Sequence, residues 1–293
     1  MKPNTLIIGN HSLTWGQRTY LMGIINITPD SFSGDGLAAG DDFVSRAIEQ
    51  AGRFLAEGAD ILDIGGESTR PGAQVVTETE EIRRVEPVIR AIASRFPDAL
   101  LSIDTYKAAV AETALAAGAQ IINDVWGLRA DSQMAALTAR CGAPIILMHN
   151  RSKPNDAQVE ARLGGRYTGV EYVDLMADVQ RELMESVSLA RAAGIADGKI
   201  ILDPGIGFGK TVQQNLELLN RLDEIRGLGF PVLLGTSRKS FIGYTLDLPA
   251  DQRAAGTAAT VAIGIARGAD IVRVHDVAQM AQVAHMTDAI LGR

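Results

Sequence analysis

A short apolar run that follows a glycine and stops at polar residues recurs along the chain as EGADILDIGGE, AGAQIINDV, CGAPIILMHN, DGKIILDPG, LGFPVLLGTS and RGADIVRVHD. Gly58, Gly118, Gly142, Gly198, Gly229 and Gly268 supply the backbone freedom that a helix-to-strand turn needs. The runs are rich in Ile, Leu and Val without alternating apolar and polar positions, the pattern of parallel strands covered on both faces. Tyr20 to Thr28 and Ala99 to Asp104 fit the same scheme, which brings the strands to about eight.

Amphipathic helices fill the intervals. Ile82, Val85, Ile89, Ile92 and Phe96 share one face, as do Met176, Val179, Leu183 and Val187. Thr77 followed by Glu80 reads as a capping box, and Pro87 predicts a kink or a nearer helix boundary. LIIGN and SLTWG, ahead of the first long run, predict a short β-hairpin placed to cover the bottom of a barrel. The alternation of strand and helix, without a low-complexity linker, favours an α/β fold of the (β/α)8 TIM-barrel kind, with a doubly wound open sheet as the alternative. The expected organisation is one domain over residues 1–293, with the hairpin in 1–16 and the barrel in 17–293.

Functional groups of such a barrel sit at the carboxyl ends of its strands. Those ends carry Asn26, Glu67 to Arg70, Asp104, Asn123 with Asp124, His149, Asp203, Lys239, and Arg273 with His275. Asp104, Asn123 and Asp203 are acceptors suited to a heterocycle with several N–H donors, each charged bond contributing roughly 1.5 to 3 kcal/mol. Lys239, Arg273 and His275 follow the last two strands, where barrels often hold phosphate. The implied ligand has a polar ring and an anionic tail.

Two long loops, NITPDSFSGDG and GGESTRPGA, have the composition of loops that close over a substrate. DPGIGFGKT fails as a P-loop because Pro204 stands where a glycine is needed, and Lys210 takes the third-glycine place of a dinucleotide fingerprint. Its glycines instead predict a close approach of backbone to a flat ring. His149 and His275 reach the rim from different strands, without the pairing of a zinc site. Lys153 to Tyr167 reads as a disordered or inserted loop with no assigned function.

Composition narrows the partners. A net charge of -7 and a pI near 5.2 argue against nucleic acid or an anionic membrane surface as the main partner. Arg267 and Asp270 interrupt the apolar stretch Gly256 to Val274, no run reaches the ~20 apolar residues of a membrane span, and residues 1–16 do not read as a signal peptide. The single cysteine, Cys141, cannot form an internal disulfide, fits a cytoplasmic location, and is expected to be buried between a helix and a strand.

From Met22 onward, MGIINITPDSFSGDG, GGESTRPGA, SIDTYK, IINDV, LMHN, DPGIGFGK, GTSRKSFIG and RVHDV occur in the order found in the dihydropteroate synthases, a pterin-binding family that the chain therefore resembles. The resemblance implies a barrel that joins 6-hydroxymethyl-7,8-dihydropterin pyrophosphate to p-aminobenzoate on the route to folate. It implies that Asp104, Asn123, Asp203, Met148, Phe208 and Lys239 surround the pterin, and that Thr69, Arg70, Arg273 and His275 hold the pyrophosphate. Phe32, Thr69, Pro71, Ser237 and Lys239 would form the p-aminobenzoate pocket, and Asn26 would bind magnesium. Lys239, Asp104, Asp203 and Arg70 would carry catalysis. A homodimer, and sulfonamides in the place of p-aminobenzoate, are expected on the same grounds.

Many relatives read SFSDGG where this chain reads SFSGDG, which leaves the role of Asp35 open, and the segment between Arg151 and Val170 is longer than in the shortest relatives. Two rival readings are a methyltransferase acting on methyltetrahydrofolate, which has no use for a pyrophosphate clamp, and a non-catalytic pterin-binding relative, which would show damage in the loops or at Lys239.

Overall fold

A computed structural model describes residues 5–28, 42–69, 75–153, 156–168 and 171–293. The chain opens with an antiparallel hairpin of β1 (Thr5–Ile8) and β2 (His11–Thr14). There follow β3 (Tyr20–Asn26), β4 (Ile61–Gly65), β5 (Leu100–Asp104), β6 (Ile121–Asp124) and β7 (Ile145–Met148). A second antiparallel hairpin, β8 (Ala157–Glu160) with β9 (Gly164–Tyr167), precedes β10 (Ile200–Asp203), β11 (Leu233–Leu234) and β12 (Ile271–Val274). Apart from the two hairpins all neighbouring strands are parallel, in the order β10-β7-β6-β5-β4-β3-β12-β11. A parallel bridge between Leu202 and Val232, with Leu202 N donating to Pro231 O at 2.9 Å, joins the ends of that series and closes the barrel. Closure removes the open sheet edges and decides against the doubly wound alternative.

The barrel's N-terminal end is filled by one residue from each strand: Met22, Ile61, Leu100, Ile121, Ile146, Ile201, Leu233 and Ile271. Leu6, Ile8 and Leu13 of the first hairpin, with Trp15 and Tyr20, pack against this ring in the same cluster. The hairpin is therefore a plug for an apolar barrel floor, the place expected for LIIGN and SLTWG. Trp15 meets Tyr20 edge to face at 5.8 Å between centroids.

Helices α1 (Phe43–Ala56), α2 (Glu78–Arg95), α3 (Ala108–Ala117), α4 (Met134–Cys141), α5 (Leu175–Ala192), α6 (Val212–Asn220), α7 (Leu222–Arg226), α8 (Ser240–Leu246), α9 (Ala254–Ala266) and α10 (Val277–Leu291) pack outside the strands and form a second, larger core with their outward side chains. No described helix is long and apolar enough to cross a membrane. Val85, Ile89 and Ile92 are fully buried, as are Met176, Val179, Leu183 and Val187, with Ile82 and Phe96 at the margin.

Several local expectations change. Only half of the capping box forms: Thr77 Oγ1 accepts from Glu80 N at 3.3 Å, while the Glu80 carboxylate turns to Arg83 and Arg84. Pro87 lies inside α2, which continues past it because Val85, Val88, Ile89 and Ile92 are all buried; that burial offsets the ~3 kcal/mol proline penalty. Positive φ is found at Gly58, Gly118, Gly142, Gly229 and Gly268 but not at Gly198, which sits in a 3-10 turn; Gly194, at φ 92°, ends the preceding helix instead. Cys141 is exposed rather than buried, at the end of α4.

Trp15→Ala is expected to cost about 3–5 kcal/mol of stability, the range for emptying a large aromatic site. Urea unfolding checks it, and a loss below 1 kcal/mol would show that the hairpin does not plug the barrel.

Candidate active site

Side chains two residues apart on a strand point the same way. Two positions beyond the apolar ring, the inward residues are Ile24, Asp63, Ser102, Asn123, Met148, Asp203 and Arg273. The barrel interior thus changes from wholly apolar to mainly polar within one inward step. A further step reaches Asn26, Asp104, Ser237 and His275 near the carboxyl rim.

Arg273 sits at the centre of the polar layer. Its Nε donates to Asp63 Oδ2 and one terminal nitrogen to Asp104 Oδ2, both at 2.6 Å. Asp63 Oδ2 also accepts from Asn123 Nδ2 at 3.0 Å. One arginine therefore ties together three strands, and Asp63 links it to Asn123. Burial works against the charge of Arg273, but Asp63 and Asp104 more than offset it and hold its pKa above the ordinary guanidinium value. Burial pushes Asp104 up to about 7, against the pull of Arg273 and with Asp63 adding to the rise. Asp203, whose carboxylate accepts from Gly205 N at 2.7 Å, is also raised by burial, with Lys239 pulling the other way. The second oxygens of Asp63 and Asp104 are buried acceptors with no hydrogen bond from the described residues. A ligand that brings N–H donors would satisfy acceptors of this kind.

Above this floor lies a cleft of about 330 Å³ whose walls include Asn26, Thr28, Thr69, Asp104, Phe208, Ser237, Lys239, Arg273 and His275. The Lys239 ammonium donates to Ile206 O and lies 4.5 Å from the centre of the Phe208 ring. His275 is held by Ser237: its backbone N–H donates to Ser237 Oγ at 3.1 Å, and its Nδ1 lies 2.9 Å from the same oxygen. Asn123, Met148 and Asp203 are buried in the layer beneath, outside the cleft wall itself.

Other rim residues have structural partners. Asp124 accepts from Trp126 N at 2.8 Å and Leu128 N at 2.7 Å, capping the turn after β6. His149 is buried between Glu182 (3.0 Å) and Lys210 (2.9 Å), and burial with Lys210 lowers its pKa to about 3. Lys210 also donates to the carbonyls of Gly205 and Phe208, so it staples the glycine-rich loop rather than addressing a phosphate. A Cβ on Gly205 would lie 1.8 Å from His149 O, and one on Gly209 2.5 Å from Arg151 C. Those glycines admit the neighbouring backbone, not a flat ring. A Cβ on Gly207 would meet Lys239 Cδ at 3.0 Å, so that glycine makes room for the lysine. Glu67 is engaged by Lys107 Nζ at 2.5 Å and Val76 N at 3.2 Å, which anchors both ends of the second loop.

Phe32, Asp35, Arg70 and Pro71 lie outside the described residues. Two features were missed in the sequence. Asp63 has the same parity after Ile61 as Asn123 after Ile121, Asp203 after Ile201 and Arg273 after Ile271, and that parity is the signal that finds it. The segment read as a disordered or inserted loop contains the β8–β9 hairpin, and Val159, Ala161, Arg162, Gly164 and Gly165 line the cleft.

Asp203 supplies a pH test. Because its pKa in the folded chain is raised above 3.8, the folded state holds this proton more tightly than the unfolded chain does, and that contribution to stability is lost as pH climbs from 3.8 through the raised value. Asp203→Asn, which keeps an acceptor for Gly205 N, is expected to gain melting temperature relative to wild type between pH 5 and pH 8. Scanning calorimetry across that range measures it; a gain that shrinks with rising pH contradicts the assignment.

Comparison with known proteins agrees with this architecture. The family model described as pterin binding enzyme matches residues 22–275. A dihydropteroate synthase of Clostridium beijerinckii is 50% identical over 287 residues, covering 98% of this chain and 99% of the relative. A crystal structure of dihydropteroate synthase from Clostridium difficile in the presence of pteroic acid aligns with a TM-score of 0.86 at 46% identity, over 95% of this chain and 99% of that one. The Yersinia pestis dihydropteroate synthase in complex with a sulfonamide drug aligns with a TM-score of 0.89 at 40% identity, over 98% and 99%. With a closed barrel, an acceptor floor beneath a cationic rim, and relatives matching from end to end, the chain belongs to the pterin-binding enzyme family, among its dihydropteroate synthases.

Proposed function

We propose that the chain condenses 6-hydroxymethyl-7,8-dihydropterin pyrophosphate with p-aminobenzoate to give 7,8-dihydropteroate and pyrophosphate, a step in folate biosynthesis. The observation that carries this reading is the meeting of unsatisfied buried acceptors with Arg273, Lys239 and His275 at one open barrel end. Asp104, Asn123 and Asp203 would accept from the N–H groups of the pterin, with Met148 and Phe208 against its faces. Arg273 and His275, with Thr69 and Arg70, would take the pyrophosphate. Lys239, beside Phe208, would border the pterin where it meets p-aminobenzoate, and Phe32, Thr69, Pro71 and Ser237 would shape the p-aminobenzoate pocket. Sulfonamides would occupy that pocket in place of p-aminobenzoate.

The neutral amine attacks the exocyclic methylene of the pterin, the carbon–oxygen bond breaks, and its electron pair leaves on the pyrophosphate. The amine then loses a proton to solvent. Positive charge spreads over methylene and ring while negative charge collects on the leaving group. Asp104 and Asp203 favour the first, and Arg273 and His275 the second. Asp63 would act as a positioning residue, aiming Arg273 and Asn123 together.

Magnesium fits this site as a partly solvated ion. Among the described residues no cluster of three or more His, Cys, Asp or Glu could cage a metal, and magnesium commonly takes one or two protein oxygens with substrate phosphate and water. Asn26, at the end of β3 in the cleft wall, offers such an oxygen. When bound, the ion would neutralise charge on the departing pyrophosphate.

We further propose a homodimer in the cytoplasm. The exposed side chains of Met286 and Ile290, four residues apart on α10, are candidates for burial against a second copy. An exposed Cys141 thiol suits a reducing compartment.

Pyrophosphate release from the pterin substrate is expected to depend on added p-aminobenzoate; release that ignores the amine, or none with both substrates and magnesium present, overturns the reading. Lys239→Ala is expected to lower kcat by roughly a hundredfold, the scale of losing one charge-stabilising group. A wild-type kcat in that variant would reject the role given to Lys239.

A further inference from the structure

The glycine-rich loop between β10 and α6 bears on three groups of the proposed site. The Asp203 carboxylate accepts from Gly205 N, the Ile206 carbonyl accepts from the Lys239 ammonium, and the Phe208 ring lies beside that ammonium. No strand or helix fixes the loop's shape, and Gly205 and Gly207 take positive φ, at 70° and 82°. Two buried side chains fasten it instead. Asn215 Oδ1 accepts from Gly207 N at 2.6 Å, and Lys210 Nζ donates to the carbonyls of Gly205 at 2.9 Å and Phe208 at 3.0 Å.

Lys210 is itself held from outside the loop. Its Nζ lies 2.9 Å from His149 Nδ1, and His149 Nε2 lies 3.0 Å from Glu182 Oε2 on α5. An ammonium can only donate and a carboxylate can only accept, so the ring carries its proton on Nε2 and leaves Nδ1 bare. The neutral ring this requires is supplied by burial and by Lys210, which lower the His149 pKa to about 3. At the other end Glu182 stays charged: burial opposes the charge, and His149 and Arg151 outweigh burial. Each of the three Lys210 protons then has an acceptor at a position 2% exposed, where burial pulls the ammonium pKa well down and Asp203 pulls it back.

We propose that Glu182, His149 and Lys210 form a hydrogen-bond relay that shapes the glycine-rich loop for the pterin ring, with His149 as a positioning residue that acts through Lys210 and touches no substrate. The proposal rests on the reading above, in which Asp203 and Phe208 meet the ring. The carboxylate orients the imidazole, the imidazole takes the third proton of the lysine, and the lysine holds the two carbonyls on either side of Ile206 and Gly207, where Lys239 is seated. The relay serves the ring end of the site. Arg273 and His275, at the diphosphate end, are held by Asp63, Asp104 and Ser237.

The test titrates two ligands into the full chain by calorimetry: 6-hydroxymethylpterin, which presents the ring alone, and inorganic pyrophosphate with magnesium, which presents the tail alone. His149→Leu removes the middle of the relay, whereas His149→Asn keeps an acceptor facing Lys210. In His149→Leu the ring affinity is expected to fall about tenfold, the scale of one lost hydrogen bond to a buried charge, with pyrophosphate affinity within about twofold of wild type. His149→Asn should restore most of the ring affinity. A loss of both affinities together, as general loosening would give, or an unchanged ring affinity in folded His149→Leu, overturns the proposal. The wild-type chain supplies a reading that needs no variant: nitrogen NMR shifts of the His149 ring should place its proton on Nε2, and a proton on Nδ1 breaks the relay and overturns it as well. If wild type neither binds 6-hydroxymethylpterin nor shows amine-dependent pyrophosphate release, the proposed function fails and the relay's role falls with it; normal release and ring binding that His149→Leu leaves unmoved reject the relay alone.

Discussion

The architecture depends on holding one guanidinium between two carboxylates inside a closed ring of strands. Arg273, Asp63 and Asp104 occupy a space from which water is largely removed, where each charge alone would cost several kcal/mol. Mutual pairing offsets part of that cost. It leaves two carboxylate oxygens, one on Asp63 and one on Asp104, without a donor among the described residues. A preorganised set of acceptors beside a cation is what a polar ring joined to a diphosphate requires, and its cost is met by the rest of the fold.

That cost explains the division of the barrel into layers. Below the charged layer, a ring of Met, Ile and Leu from all eight strands is sealed by the N-terminal hairpin, with Trp15 and Tyr20 in the same apolar cluster. Above it, the rim groups are exposed enough to meet a ligand. Outside, the helices bury a continuous apolar shell. The residues that raise the energy of the site are thus enclosed by those that lower the energy of the fold, and the strands that carry Asp63, Asp104, Asn123 and Arg273 are each held by two neighbours.

The barrel was legible because its strands are buried on both faces and so appear as uninterrupted Ile, Leu and Val runs, each begun by a turn and ended by the residues that do chemistry. The rim groups were legible for the same reason. Asp63 was not read, because an acid in the middle of an apolar run looks like part of the strand until inward and outward positions are separated. Asp124 and His149 were placed at the rim by their position in sequence, but a carboxylate beside free backbone N–H groups caps a turn, and an imidazole between Lys210 and Glu182 belongs to the loop's own support. The β8–β9 hairpin escaped notice because its strands are four residues long and mostly exposed, with burial confined to Leu163 and Tyr167.

Asp63 tests the account most directly, since it touches Arg273 and Asn123 at once and would contact neither the pyrophosphate nor p-aminobenzoate in the proposed arrangement. Calorimetric titration of pterin pyrophosphate into Asp63→Asn is the measurement. Loss of the charge that aims Arg273 should weaken binding at least tenfold while the variant remains folded by circular dichroism. Wild-type affinity in a folded Asp63→Asn protein would contradict the view that the buried carboxylate–guanidinium group organises the site.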